Sequence, residues 1–401
     1  MDLERLRADT PGCAERIHLN NAGASLMPEP VIRAIQDHIA LEARIGGYEA
    51  AEARAPAIAD AYRSVAALVG ARPENIAFTG SATASYVQAL SAIPFQSGDV
   101  MLTSQNDYAS NQIQLLSLQR RLGIRVLRAP DHKEGGVDVD AMRDAVHRHR
   151  PRLVSVTHVP TNSGLVQDVA SIGAICRDAG VIYLVDACQS VGQMTVDVQT
   201  IQCDFLSATS RKFLRGPRGS GFLYVSDRVL EDGLEPLFID MRGADWVEAD
   251  RYRPAAGARR FETWEFAWAL VLGTGEAARY AQAIGLEAIR ARARALAGRL
   301  RDGLAAIRGV RVRDRGRELC AIVSASIDGR DPSDLANALR ARGINTNAQG
   351  RTSAVLDFAA KGIAATLRMA PHYFNTEAEI DRALAAIEDL VSPRSGYNPT
   401  P

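Results

Sequence analysis

Lys212 lies in the stretch SATSRKFLRGPRGSGFLYV (207–225), with Arg211, Arg215 and Arg218 and the glycines at 216, 219 and 221 around it. Neighbouring cations lower a lysine's pKa, and the free amine this produces is a nucleophile. The same cations and the flexible backbone suit a bound anion. The competing reading is a solvated turn between two apolar strands.

Asp186, 26 residues before Lys212, ends the run VIYLVD. That run has no polar alternation before the aspartate, as in a strand buried on both faces. An aspartate after a strand is ordinarily a cap; Gln189 three residues on and Lys212 in register give it a second reading. Upstream, TGSATAS (79–85) opens a helical stretch whose N–H groups and hydroxyls suit a phosphate. Alone it is equally a helix N-cap. A lysine for a Schiff base, a carboxylate to keep a pyridine nitrogen protonated and a phosphate-binding helix start are together what pyridoxal 5'-phosphate chemistry needs.

The elements that must position these groups follow from periodicity. Between about 75 and 226, apolar runs (NIAF, DVMLTS, IRVLRA, RLVSVT, VIYLVD, CDFLSA, GFLYV) alternate with helical stretches at 110–122, 138–149 and 169–179. Such alternation predicts an α/β fold, a mostly parallel sheet covered by helices. Ligands then bind beyond the carboxyl ends of the strands, and those ends deliver polar groups: the TGSATAS turn (79–85), Tyr108, the HVPTNSG loop (158–164), Asp186 and Gln189, and Thr209, Ser210, Arg211 and Lys212. After 275 the pattern changes to a long helix (about 276–307), the strands RVRD and ELCAIVSASI, a helix at 332–342, the strand TLRMA and a helix at 376–391. This reads as a large domain (18–275) and a smaller α+β domain (276–393), with 1–17 packing on the latter. The segment 227–275 does not read as regular structure, and a long irregular stretch points to function or an interface.

With 47 basic and 47 acidic residues the chain lacks the basic excess that nucleic-acid or membrane-surface binding wants. It shows no apolar run of membrane-spanning length and no apolar core for a signal peptide near its start. Its five cysteines show no framework or ligand spacing, and cytoplasmic is the expected address. His147 and His149 belong on a basic amphipathic helix facing solvent, and no metal site is expected. Cys188, between Asp186 and Gln189, reads as a small buried filler.

On HLNNAGASLMP (18–28), VDACQS, SRKFLRGPRGSG and LRMAPHYFNT, in that order, the chain resembles fold-type I pyridoxal phosphate enzymes of the class V aminotransferase and cysteine desulfurase-like family. The group includes selenocysteine lyase, kynureninase and isopenicillin N epimerase. The resemblance implies the PLP-dependent transferase fold and a homodimer with its active sites at the interface. By it, Lys212 is similar to the Schiff-base lysine, Asp186 to the pyridinium partner and Gln189 to the residue near the phenolic oxygen. Ala82, Thr83, Thr209 and Arg211 match the phosphate site, where Arg211 replaces a histidine of the desulfurases. Tyr108 falls where desulfurases stack a histidine on the ring. Thr161 and Asn162 both fit the loop residue at the cofactor oxygen. Arg368 matches the arginine that holds the substrate carboxylate, a task suited to a bidentate guanidinium. Asn21, in the N-terminal segment, and Tyr48, in RIGGYEA, are the other candidate substrate contacts.

Two departures from the family bear on the reaction. The mobile cysteine of desulfurases has no counterpart in NTNAQGRTSAVLDFAAKGIAAT (345–366), and the family's Gly-Thr after Phe-Glu is replaced in FETWE (261–265). The expected activity is therefore β-elimination at a C–S or C–Se bond without a persulfide relay, with Tyr108 as proton donor to the leaving group. Aminotransfer, epimerisation and a silent cofactor-binding protein are the alternatives.

Overall fold

The computed structural model describes residues 1–391, so positions 392–393 of the expected second domain lie outside the described residues. All seven apolar runs form strands of one sheet: Ile76–Thr79, Gly221–Val225, Phe205–Thr209, Ile182–Asp186, Leu153–Thr157, Val100–Thr103 and Arg125–Arg128, in that spatial order. Gly221–Val225 runs antiparallel to both its neighbours, and the other pairs are parallel. The central strands are β-branched and aliphatic because both faces are covered: Val154, Val156, Leu184 and Val185 are fully buried. Each such side chain contributes about 1.5–3 kcal/mol by leaving water.

One apolar cluster lies on one face of this sheet, under the helices Val139–His149 and Val169–Asp178. Another fills the opposite face, under the helix Ala82–Ser91. Register matters for the site. Thr157 sits opposite Asp186 and Asp186 opposite Ser207, so three strands end at one level.

A four-stranded antiparallel sheet follows (Val310–Val312, Val323–Ile327, Ala365–Met369, Asn347–Gly350, in spatial order) and has its own apolar cluster. Arg368 stands on its Ala365–Met369 strand, opposite Ser324 and Asn347. The N-terminal segment reaches this region: Ile17 pairs with Ile344, and Arg7 donates to Phe374 O at 2.8 Å and pairs with Glu379.

Two expectations are corrected. The long helix at 276–307 is two helices, Trp268–Ile284 and Leu286–Ala306, broken by Gly285 at φ +93°, a conformation that favours glycine. The 227–275 segment contains a hairpin, Ala244–Glu248 with Arg251–Pro254. Its strands are solvent-exposed and charged on both faces, so no period-2 apolar pattern marked them.

Candidate active site

At the carboxyl ends of the strands lies a cavity of about 300 Å³, lined by Gly80–Thr83, Tyr108, Asn111, Asp186, Cys188, Thr209, Arg211, Lys212, Arg218 and Gly219. Lys212 is buried, and among the described residues its Nζ has no hydrogen bond or ion-pair partner. Burial pushes its pKa down; Arg211 and Arg368 push the same way, and Cys188 and Asp186 oppose them. The ammonium stands 5.7 Å from the centre of the Tyr108 ring. The chain holds three lysines. Lys133 is exposed and Lys361 is paired with Asp357 at 2.8 Å, which leaves Lys212 as the amine available in the cavity.

Asp186 is buried and held by two donors: the Cys188 N–H reaches Oδ1 at 2.9 Å and Asn111 Nδ2 reaches Oδ2 at 3.0 Å. The Cys188 thiol pKa is pushed up by burial and by Asp186, so it stays protonated.

The helix Ala82–Ser91 begins at the cavity. Its cap, Ser81, accepts from Ala84 N–H at 3.1 Å, and the N–H groups of Ala82 and Thr83 precede the first intrahelical bond. Gly221 makes this approach possible, since a Cβ there would lie 2.8 Å from Ala82 N and 2.6 Å from Ala208 O. Arg211 and Arg218 flank the same end, and Thr209 lines it. Backbone donors, hydroxyls and two guanidiniums make a site for a dianion.

Arg368 is 4% exposed and, among the described residues, pairs with no carboxylate. Its Nη1 donates to Thr161 O (2.8 Å) and Oγ1 (2.9 Å), and Nη2 to Asn20 Oδ1 (3.1 Å). Its Nε is buried without a partner. Burial, then the charge of Arg211, brings the guanidinium down to about 10. A buried cation lacking an anion is a place for a ligand carboxylate.

The geometry separates the two loop candidates. Thr161 meets both Arg368 and Gln189, whose Nε2 lies 2.9 Å from its hydroxyl. Asn162 turns away and donates to Asp357 at 2.7 Å. Gln189 also donates to Ala22 O at 3.0 Å, while its Oε1 is buried without a partner.

Other candidates stand elsewhere. Asn21 is fully buried, with both amide hydrogens committed to His18 O and Ala370 O and its oxygen to Ser25. Its neighbour Asn20 is the residue that reaches Arg368. The sequence alone does not distinguish adjacent asparagines in an irregular segment. Tyr48 is 76% exposed and shares a separate cleft with Arg242, Trp264 and Glu265. Glu262 is spent on structure, bonded to Tyr62, Phe78 N–H and Arg242. Arg215, too, pairs with no carboxylate among the described residues. At φ +65° it is buried against Leu26 O (2.8 Å), Thr10 Oγ1 (2.7 Å), the Tyr373 hydroxyl and the Phe374 ring.

The sequence motifs do not single out Asn111 or Asp107. Asn111 follows Tyr108 by three residues at the start of the helix Ala109–Leu122, and that spacing puts both at one face. The unpartnered Lys212, the paired donors on Asp186 and the helix start together fit pyridoxal phosphate. Asp186 would hold the ring nitrogen and the 80–83 turn the phosphate.

A profile of the family described as aminotransferase class-V matches residues 17–383. A probable cysteine desulfurase of Methanothermobacter thermautotrophicus is 30% identical over 97% of this chain and 98% of its own. A probable hercynylcysteine sulfoxide lyase of Mycobacterium tuberculosis is 31% identical over 98% of this chain and 94% of its own. The solved apo structure of a cysteine desulfurase from Thermococcus onnurineus superposes with a TM-score of 0.89 at 28% identity, covering 97% of this chain and 98% of that one. The chain belongs to the class V aminotransferase family, and is a pyridoxal-phosphate-dependent enzyme with the fold of the cysteine desulfurases.

Proposed function

We propose that the protein is a C–S β-lyase acting on an S-substituted cysteine, or its selenium counterpart, and releasing the sulfur fragment directly. The observation that carries this reading is the absence of a usable acceptor thiol. The 345–366 segment has no cysteine, and its short helix Val355–Lys361 is tied down by Asn162–Asp357 and Lys361–Asp357 contacts. Cys188, the cysteine lining the cavity, is kept as a thiol by burial and by Asp186, and a thiol is a poor sulfur acceptor.

The division of labour follows from placement. Arg368 and Asn20 orient the substrate carboxylate, with Thr161 fixing the guanidinium. Lys212, neutral when its proton is lost, takes the proton from Cα. When bound, pyridoxal phosphate supplies the electron sink for the charge developing there. The Cβ–S bond then breaks with its electron pair passing to sulfur, and the Tyr108 hydroxyl gives that sulfur a proton. The remaining unsaturated amine takes up water and yields pyruvate and ammonia. Ala82, Thr83, Thr209 and Arg211 hold the phosphate, and Arg218 adds a second charge. The lyase among the similar proteins supports this reading over aminotransfer.

We also read the chain as the two domains 18–275 and 276–393 and as a homodimer. Phe238, Met241 and Trp246 are 82%, 63% and 81% exposed within the 227–275 segment, and Tyr48 and Trp264 line one cleft. Large exposed apolar side chains gathered in one segment support an association surface. No helix among the described residues is long and apolar enough to cross a membrane. The five cysteines are free thiols, which fits a cytoplasmic location.

The test is product analysis on a panel of S-substituted cysteines and their sulfoxides with no keto acid present. Pyruvate and ammonia in equal amounts support the lyase. A requirement for a keto acid, or racemisation without release, overturns it.

A further inference from the structure

Asp107 is a buried carboxylate one residue before Tyr108, and it accepts from five donors. Tyr108 N–H (2.7 Å), Asn111 Nδ2 (3.1 Å) and Thr157 Oγ1 (2.5 Å) reach Oδ1; Gln112 Nε2 (2.6 Å) and Thr103 Oγ1 (3.2 Å) reach Oδ2. The Gln112 amide cannot be turned round, because its oxygen accepts from Arg128 Nε at 3.0 Å and Nη2 at 2.7 Å. The Asp107 pKa is raised on balance, by burial first and also by the charge of Asp186, against the bonds from Thr157, Gln112 and Asn111, which pull it down. The backbone N–H and the two amide nitrogens can only donate, so these three partners favour the anion against the cost of burial.

Asn111 joins this group to the site. One nitrogen, Nδ2, donates to Asp107 at 3.1 Å and to Asp186 at 3.0 Å, one hydrogen for each carboxylate. The reverse orientation would set the amide oxygen against two anions, so the bridge has one form. Asp107 thereby fixes the backbone at Tyr108 on one side and a donor to Asp186 on the other.

We propose that Asp107, acting through Asn111, forms a positioning pair that orients Asp186 and sets how tightly it holds the proton of the cofactor's ring nitrogen. This rests on the cofactor reading above. The other titratable and charged groups facing Asp186 are Tyr86 from the helix Ala82–Ser91, Cys188 beyond its own strand, and Lys212 from the turn after Phe205–Thr209. Asn111 is the donor that holds Asp186 Oδ2.

The two members act with opposite sign. Asn111→Ala takes a donor from Asp186 and raises its proton affinity. Asp107→Asn takes away a neighbouring anion and lowers it. The experiment is a pH titration of the visible absorbance of the cofactor-loaded parent and both variants, with cofactor dissociation constants and apoprotein melting curves. The midpoints move in opposite directions, each by about half a unit or more, and Asn111→Ala holds pyridoxal phosphate roughly tenfold more weakly, the equivalent of one charge-assisted hydrogen bond. If Asp107→Asn does not fold, Asn111→Ala decides alone, since it leaves Asp107 its other donors. An unmoved midpoint in Asn111→Ala overturns the proposal, whether or not affinity falls, because a purely structural role changes affinity and melting only. A parent protein that takes up no cofactor overturns the underlying cofactor reading instead.

Discussion

Arg368 Nη1 makes two bonds to one residue, Thr161, at its carbonyl (2.8 Å) and its hydroxyl (2.9 Å). That pairing aims the guanidinium while leaving it without a carboxylate partner. Arg368→Lys keeps a charge and loses the planar fork. The expected result is a KM for the amino-acid substrate raised about tenfold or more, with cofactor loading as in the parent. Steady-state kinetics beside the visible spectrum check it.

In the proposed mechanism Tyr108 has two tasks, packing on the cofactor ring and proton donation. Tyr108→Phe keeps the first and removes the second. Cofactor affinity stays within a few-fold, whereas kcat for C–S cleavage falls about a hundredfold, the lower end of what a positioned acid supplies. Substrates with a more acidic leaving thiol recover part of the loss, and a leaving-group series measures this.

Lys212 makes the apoprotein's stability depend on pH. Burial depresses its folded pKa below that of the unfolded chain. Between the depressed value and the ordinary lysine value the unfolded chain binds more protons, so this group makes stability rise with pH across that window. Lys212→Met removes the buried charge. The variant apoprotein melts above the parent at neutral pH, and the gap narrows as pH rises toward the ordinary lysine pKa. Paired melting curves from neutral to alkaline pH read this directly.

Arg215 ties the N-terminal segment, the Lys212 turn and the 372–375 loop together through Thr10, Leu26 and Tyr373. Arg215→Met preserves volume and leaves those acceptors without donors. A loss of roughly 2–4 kcal/mol follows, seen as a lower apoprotein melting temperature.

Much of this was legible before any coordinates. The seven strands of the large sheet announce themselves because both faces are covered, so apolar runs such as VIYLVD carry no interruption. Lys212 and Asp186 are legible for the same reason: Asp186 ends one such strand and Lys212 follows another. The hairpin at 244–254 was not, because exposed strands have no apolar period, and Gly285 was hidden inside an alanine-rich run. The choice of Thr161 over Asn162, and of Asn20 over Asn21, depends on which way irregular backbone turns a side chain. Asp107 and Asn111 escape motif reading because the bonds that tie them to the site, Thr157 to Asp107 and Asn111 to Asp186, span 50 and 75 residues, which spacing does not encode.

The most direct test of the account asks which lysine carries the cofactor. The chain has three, so the answer is unambiguous. The reconstituted protein is reduced with borohydride, digested and mapped by mass spectrometry. The account predicts the reduced cofactor on Lys212 alone, and no visible absorbance in Lys212→Ala. Attachment at Lys133 or Lys361, or full absorbance retained in Lys212→Ala, would contradict it.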